Sequence, residues 1–129
     1  MGRATTAIIN LDAIRYNYRL AKEMHPVGEA VAVIKADAYG HGAVQVAQAL
    51  VGDVDAFAVA CIEEALQLRE AGITTPILLL EGFFTADELV VISQQQLWCV
   101  IHSLDQIKTL SSVILPQPIR VWLKMDSGM

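Results

Sequence analysis

The chain has 129 residues, 54% of them hydrophobic and 18% charged, which suits one domain with a real buried core and excludes a disordered segment. Nine Lys and Arg against fourteen Asp and Glu leave a net charge of −5, so the basic surface that nucleic acid requires is not expected. The longest apolar runs, such as Ala30–Ile34 and Ile77–Leu80, fall far short of the roughly 20 residues that span a bilayer, and no membrane partner is expected.

Met1-Gly-Arg followed by Ala-Thr-Thr-Ala-Ile-Ile and polar Asn10 and Asp12 is too short and too polar for a secretory leader. Thr5–Asn10 reads as one short strand. Asn10 or Asp12 then caps an amphipathic helix carrying Leu11, Ile14, Tyr18 and Ala21 at helical spacing. Pro26-Val-Gly28 makes a turn, and Ala30–Ile34 is the first of five β-rich apolar runs. The others are Phe57–Ala60, Ile77–Leu80, Leu97–Ile101 and Ile119–Leu123, and they recur at roughly 20 to 25 residues, one strand plus one helix and two loops.

Between these runs the apolar period changes to that of a helix. Ala43, Val46, Ala47 and Leu50 form one face, and Ile62, Ala65, Leu66 and Arg69 another, with Gly72 placed to stop the second helix. Thr85-Ala-Asp-Glu88 and Ser103-Leu-Asp-Gln106 both fit the capping box. The strand runs are nearly continuous in apolar residues, as in parallel strands covered on both faces. The fold class expected is α/β with a parallel sheet, either an open doubly wound sheet of five strands or the first part of a longer (β/α) barrel. A closed barrel takes eight strands and typically ~250 residues, so a barrel reading implies an incomplete one of about five of eight βα units, preceded by an N-terminal strand and helix.

Lys35 ends an apolar strand just ahead of Ala36-Asp-Ala-Tyr39-Gly-His-Gly42, at the end of the sheet where parallel β/α folds bind ligands. An amine enclosed there has its pKa lowered and can form a Schiff base or act as a base, whereas in the plainer reading it snorkels to solvent or pairs with Asp37. Tyr39 offers a hydroxyl to a phosphate, and His41 reads as a loop hydrogen-bonder rather than a proton shuttle. Lys124 repeats the placement of Lys35 on the last strand. Both amines then project over one mouth and, if close, depress each other's pKa, while the plainer reading pairs Lys124 with Asp126. Glu63-Glu64 and Asp87-Glu88 occupy first helical turns, where the macrodipole favours anions. Cys61 and Cys99 are too far apart in sequence for a metal motif or a disulfide framework and read as core thiols in a reducing cytoplasm; no metal site is expected.

Val33-Ile-Lys35-Ala-Asp-Ala-Tyr39-Gly-His-Gly42 resembles the pyridoxal 5′-phosphate attachment motif of bacterial alanine racemase. The similarity extends over nearly the entire chain, including Asp55–Ala60, Glu63–Leu66, Ile77–Gly82 and Trp122–Met129. The resemblance implies that Lys35 carries the cofactor and works as a base on one face of the substrate α-carbon, that Tyr39 contacts the cofactor phosphate, and that Lys124 is a lysine carbamylated in many members. It favours the barrel. It further implies that 1–129 is the N-terminal part of a pyridoxal-phosphate-binding (β/α)8 barrel, without the remainder of that barrel or the C-terminal β domain. The full-length protein would be a cytoplasmic homodimer interconverting L- and D-alanine, whose second acid/base is a tyrosine that Tyr16, Tyr18 and Tyr39 do not match. The truncated chain would be inactive alone and would self-associate through exposed barrel edges. Two alternatives are a pyridoxal-phosphate-binding barrel protein that does not racemise and a non-catalytic interaction module.

Overall fold

Five short strands lie side by side in the order in which the chain makes them: β1 (Val31–Val33), β2 (Ala56–Val59), β3 (Ile77–Leu79), β4 (Trp98–Ile101) and β5 (Val121–Leu123). The structure is a computed structural model describing residues 4–128. Every neighbouring pair is parallel, with Ala32 beside Phe57, Ala58 beside Leu78, Leu79 beside Cys99 and Val100 beside Trp122. A doubly wound sheet reverses direction at a switch point near its middle. Here the order never reverses, which is the winding of a barrel wall.

The helices are α1 (Leu11–Glu23), α3 (Ala43–Leu50), α4 (Ile62–Glu70), α5 (Glu88–Gln94) and α6 (Leu104–Ser112); α2 (Lys35–Gly40) is a single turn. Alternation along each strand divides the apolar residues between two faces. Ala32, Ile34, Phe57, Val59, Ile77, Leu79, Cys99 and Ile101 join the buried faces of the helices in the main core. On the opposite, inner face Ala58, Leu78 and Val100 form a second cluster with Val31, Leu80 and Trp98 packed against it. β2 and β3 are buried along their whole length, as continuous apolar runs require, whereas all three residues of β5 are exposed.

Most local signals hold. Asn10 Oδ1 accepts the Ala13 N–H at 3.0 Å and starts α1. Gly72, at φ +82°, ends α4 in a left-handed conformation, and the Ile73 N–H returns to the Leu68 carbonyl. Two expectations need correction. Residues 4–10 form no strand among the described residues; Ile8 is 88% exposed, so the segment has neither a ladder nor an apolar layer to face. Nor does Thr85 cap α5, which begins at Glu88. The Thr85 hydroxyl meets the Glu88 carboxylate, and Glu88 Oε2 accepts the Phe84 N–H instead.

Candidate active site

The carboxyl rim of the sheet is built by the loops that leave the strands. The Ile34 N–H still bonds to the Ala58 carbonyl at 2.8 Å, so the ladder holds the chain up to the residue before Lys35. By position Lys35 continues the inward series Val31, Val33, and it is half-buried. Among the described residues it makes no ion pair: the expected partner, Asp37, gives Oδ1 to the Ala43 N–H at 2.7 Å and so caps α3 from six residues upstream.

The backbone beyond Lys35 takes an uncommon path. Ala36, Asp37, Ala38 and Tyr39 are all left-handed, with φ between +51° and +55°. For residues with a Cβ each such position costs about 1–2 kcal/mol, and runs of them are rare, so other contacts must hold this turn. Its supports are specific. The Ala38 N–H bonds to the Ile34 carbonyl at 3.0 Å and the Gly42 N–H to the Asp37 carbonyl at 2.9 Å. His41 Nδ1 lies 2.8 Å from the Ala38 carbonyl, so that nitrogen carries the proton and donates. His41 thus has the loop role expected of it. The Ala36 N–H donates to Glu64 Oε1 at 2.7 Å, and the Ala60 N–H to Glu64 Oε2 at 2.7 Å. Tyr39 ends the left-handed run 60% exposed on the same loop.

Lys124 stands at the same rim on the far edge. Its N–H bonds to the Ile101 carbonyl at 2.9 Å, extending the β4–β5 ladder by one step. With Leu80, His102, Gln106 and Asp126 it lines a cavity of 670 Å³ at the carboxyl ends of β3, β4 and β5. Lys35 and Lys124 are therefore separated by four ladder steps, roughly 19 Å along a flat sheet. An eight-stranded barrel would set the first and fifth strands opposite each other. That spacing does not make them the close ammonium pair considered above.

The remaining candidates have structural explanations. Burial and the charge of Glu88 push the Cys99 thiol up to about 11, as expected of a core thiol, whereas Cys61, whose thiol burial also raises, is only partly buried at the start of α4 and lies outside the core. Two contacts go beyond what the sequence indicates. Glu64, expected as a dipole-compensating anion, joins two strand ends, and Asp37, expected as a partner for Lys35, caps α3. The third position of a helix that follows a strand is the one signal that marks Glu64 in advance.

Comparison with known proteins supplies the context. The family described as "Alanine racemase, N-terminal domain" matches residues 9–129. The alanine racemase of Pseudomonas fluorescens is 59% identical over 127 residues, covering 98% of this chain and 35% of that protein. The catabolic alanine racemase of Pseudomonas putida matches equally well, at 59%. Among solved structures, the biosynthetic alanine racemase from Pseudomonas aeruginosa superposes with a TM-score of 0.90 at 49% identity, over 94% of this chain and 34% of that one. A histidine racemase from Leuconostoc mesenteroides gives 0.72 at 26%, over 80% and 28%. The chain thus spans about a third of the length of the curated relatives it matches.

Proposed function

The chain belongs to the alanine racemase N-terminal domain family, and from that premise we propose that it is the lysine-bearing portion of a pyridoxal 5′-phosphate-dependent racemase interconverting L- and D-alanine. One observation carries the reading. A half-buried amine that makes no ion pair among the described residues stands at the carboxyl rim of a barrel-type sheet, followed by four consecutive left-handed residues whose strain is bridged to the end of the next strand. Strain of that size at a ligand-binding rim is characteristic of functional sites.

The donor set fits the cofactor. Lys35 offers an amine to an aldehyde, and Tyr39 offers a hydroxyl, four residues on, to a phosphate oxygen. When bound, pyridoxal 5′-phosphate supplies the electron sink that lets an amino-acid Cα–H ionise. The Lys35 amine then removes or returns the proton on one face of Cα. Racemisation needs a second acid/base on the other face. Tyr16 lies exposed on α1, the Tyr18 hydroxyl donates to the Ala30 carbonyl in the outer layer, and Tyr39 shares a loop with Lys35, so that group comes from elsewhere. Lys124, on the opposite wall, is read as a lysine open to carbamylation, whose carbamate would help to orient a substrate-binding arginine. The whole protein is read as a cytoplasmic homodimer acting on alanine, with 1–129 contributing the first part of its barrel; among the described residues no helix is long and apolar enough to cross a membrane.

The test exploits the four lysines of the chain, Lys22, Lys35, Lys108 and Lys124. Incubation with pyridoxal 5′-phosphate, borohydride reduction and peptide mapping should place the pyridoxyl label on Lys35 well ahead of exposed Lys108. Uniform labelling, or unchanged total labelling in Lys35→Ala, would overturn the assignment. The purified chain alone should not racemise alanine; turnover without any added polypeptide would refute that part.

A further inference from the structure

We infer that Glu64 is a positioning residue for Lys35: its carboxylate clamps the rim of β1 to the rim of β2 and keeps the left-handed turn, and hence the amine, in place. The inference rests on the reading of Lys35 above. Each carboxylate oxygen accepts one backbone N–H at 2.7 Å, one from Ala36 beside the lysine and one from Ala60 at the end of β2. Hydrogen bonds of that length to an ionised acceptor are among the strongest a protein makes. Ala36 is also the first residue of the left-handed run, so the bond acts where the backbone leaves ordinary φ/ψ space.

A recurrent device in this wall supports the assignment. Glu64, Glu88 and Gln106 each accept the backbone N–H four residues earlier, from Ala60, Phe84 and His102. Gln106 also reaches the previous rim, its amide nitrogen donating to the Phe83 carbonyl at 3.4 Å. The side chain entering each of these two helices therefore braces the loop of the strand before it. Glu64 differs in what it braces, because its partner sits next to a candidate reactive lysine.

The experiment is the labelling ratio of Lys35 to Lys108 in the 129-residue chain, read for the parent, Glu64→Ala and Glu64→Gln. Loss of a hydrogen bond to a charged group predicts a ratio about tenfold or more lower in Glu64→Ala, and an intermediate one in Glu64→Gln, whose amide keeps one acceptor but turns a donor toward the other N–H. Amide exchange at Ala36 and Ala60 should accelerate in both variants while exchange at Leu79 in the core does not. A parent chain that labels Lys35 selectively and variants that label it equally would overturn the positioning role and leave the functional reading intact. A parent without selectivity would instead defeat that reading. Should Glu64→Ala not fold, the isosteric Gln variant decides the matter: an unchanged ratio overturns the role and a reduced one supports it.

Discussion

Several single residues carry more than their type suggests. Ser93 is 1% exposed and uses both capacities of its hydroxyl on the backbone of one residue, donating to the Gln117 carbonyl at 2.7 Å and accepting the Gln117 N–H at 2.9 Å. Removing it strands two backbone groups, so Ser93→Ala should lower unfolding free energy by about 1–3 kcal/mol in urea denaturation, with m unchanged. Gly82 stands at φ +78° where a Cβ would collide with the Val100 carbonyl oxygen. Gly82→Ala should therefore destabilise more than an exposed glycine substitution such as Gly52→Ala, where nothing lies within reach of a new methyl. At neutral pH the Cys99 thiol, with its pKa near 11, should resist alkylation in the native state and react only on unfolding, which mass spectrometry reports. Sequence placed Lys35 at a strand end because apolar runs reveal strands locally. The contacts of Glu64 and Asp37 were not legible, since both depend on a loop conformation that no residue of Ala36-Asp-Ala-Tyr39 favours by itself.

Helix α1 shows how an element without a fully buried residue is held. Leu11, Ile14 and Tyr18 pack on the core, and the other attachments are polar: Arg15 Nε to the Ala49 carbonyl at 2.9 Å, Arg19 to Asp53 at 2.9 Å and Lys22 to Asp55 at 2.8 Å. Asp55 also accepts the Ala30 N–H at 2.7 Å, and the two hydrogen bonds, that from Lys22 first, hold its carboxyl below the ordinary 3.8. The folded chain therefore binds this proton more weakly than the unfolded chain. The resulting stability is complete above pH 3.8 and fades as pH falls through the lower folded value. Lys22 shifts the other way: raised above 10.5 chiefly by the hydrogen bond to Asp55, it contributes fully below that pH and less as pH rises through its folded value. Both groups are partly solvated and the effect is modest. Asp55→Ala should flatten both limbs of a plot of urea midpoint against pH; unaltered limbs would show that α1 is held by its apolar face alone. The amphipathic spacing of α1 and the cap at Asn10 were readable in advance. The ion pairs were not, because they join residues more than thirty positions apart.

For the molecule as a whole, the repeating alternation of apolar periods was enough to foresee five parallel strands, but it said less about their surroundings. β5 has the same apolar character as β4, yet Val121, Trp122 and Leu123 are 46%, 45% and 69% exposed. A strand's composition records the layers it is suited to contact, and the described residues do not supply them for β5. Trp122 recovers part of its contact by stacking on Trp98, with ring centroids 6.0 Å apart, while Arg120 lies over Trp98 at 4.8 Å. An uncovered edge of this kind is a template for pairing. The isolated chain should sediment as concentration-dependent oligomers, and Leu123→Lys should shift it toward monomer; a stable monomer in the parent would refute this. The unreversed strand order has a kinetic corollary. Each ladder joins strands that follow one another in the chain with only one or two short helices between them, so a chain emerging from the ribosome can lay every new strand onto the previous one without waiting for a distant partner, and sequential assembly is built into the winding.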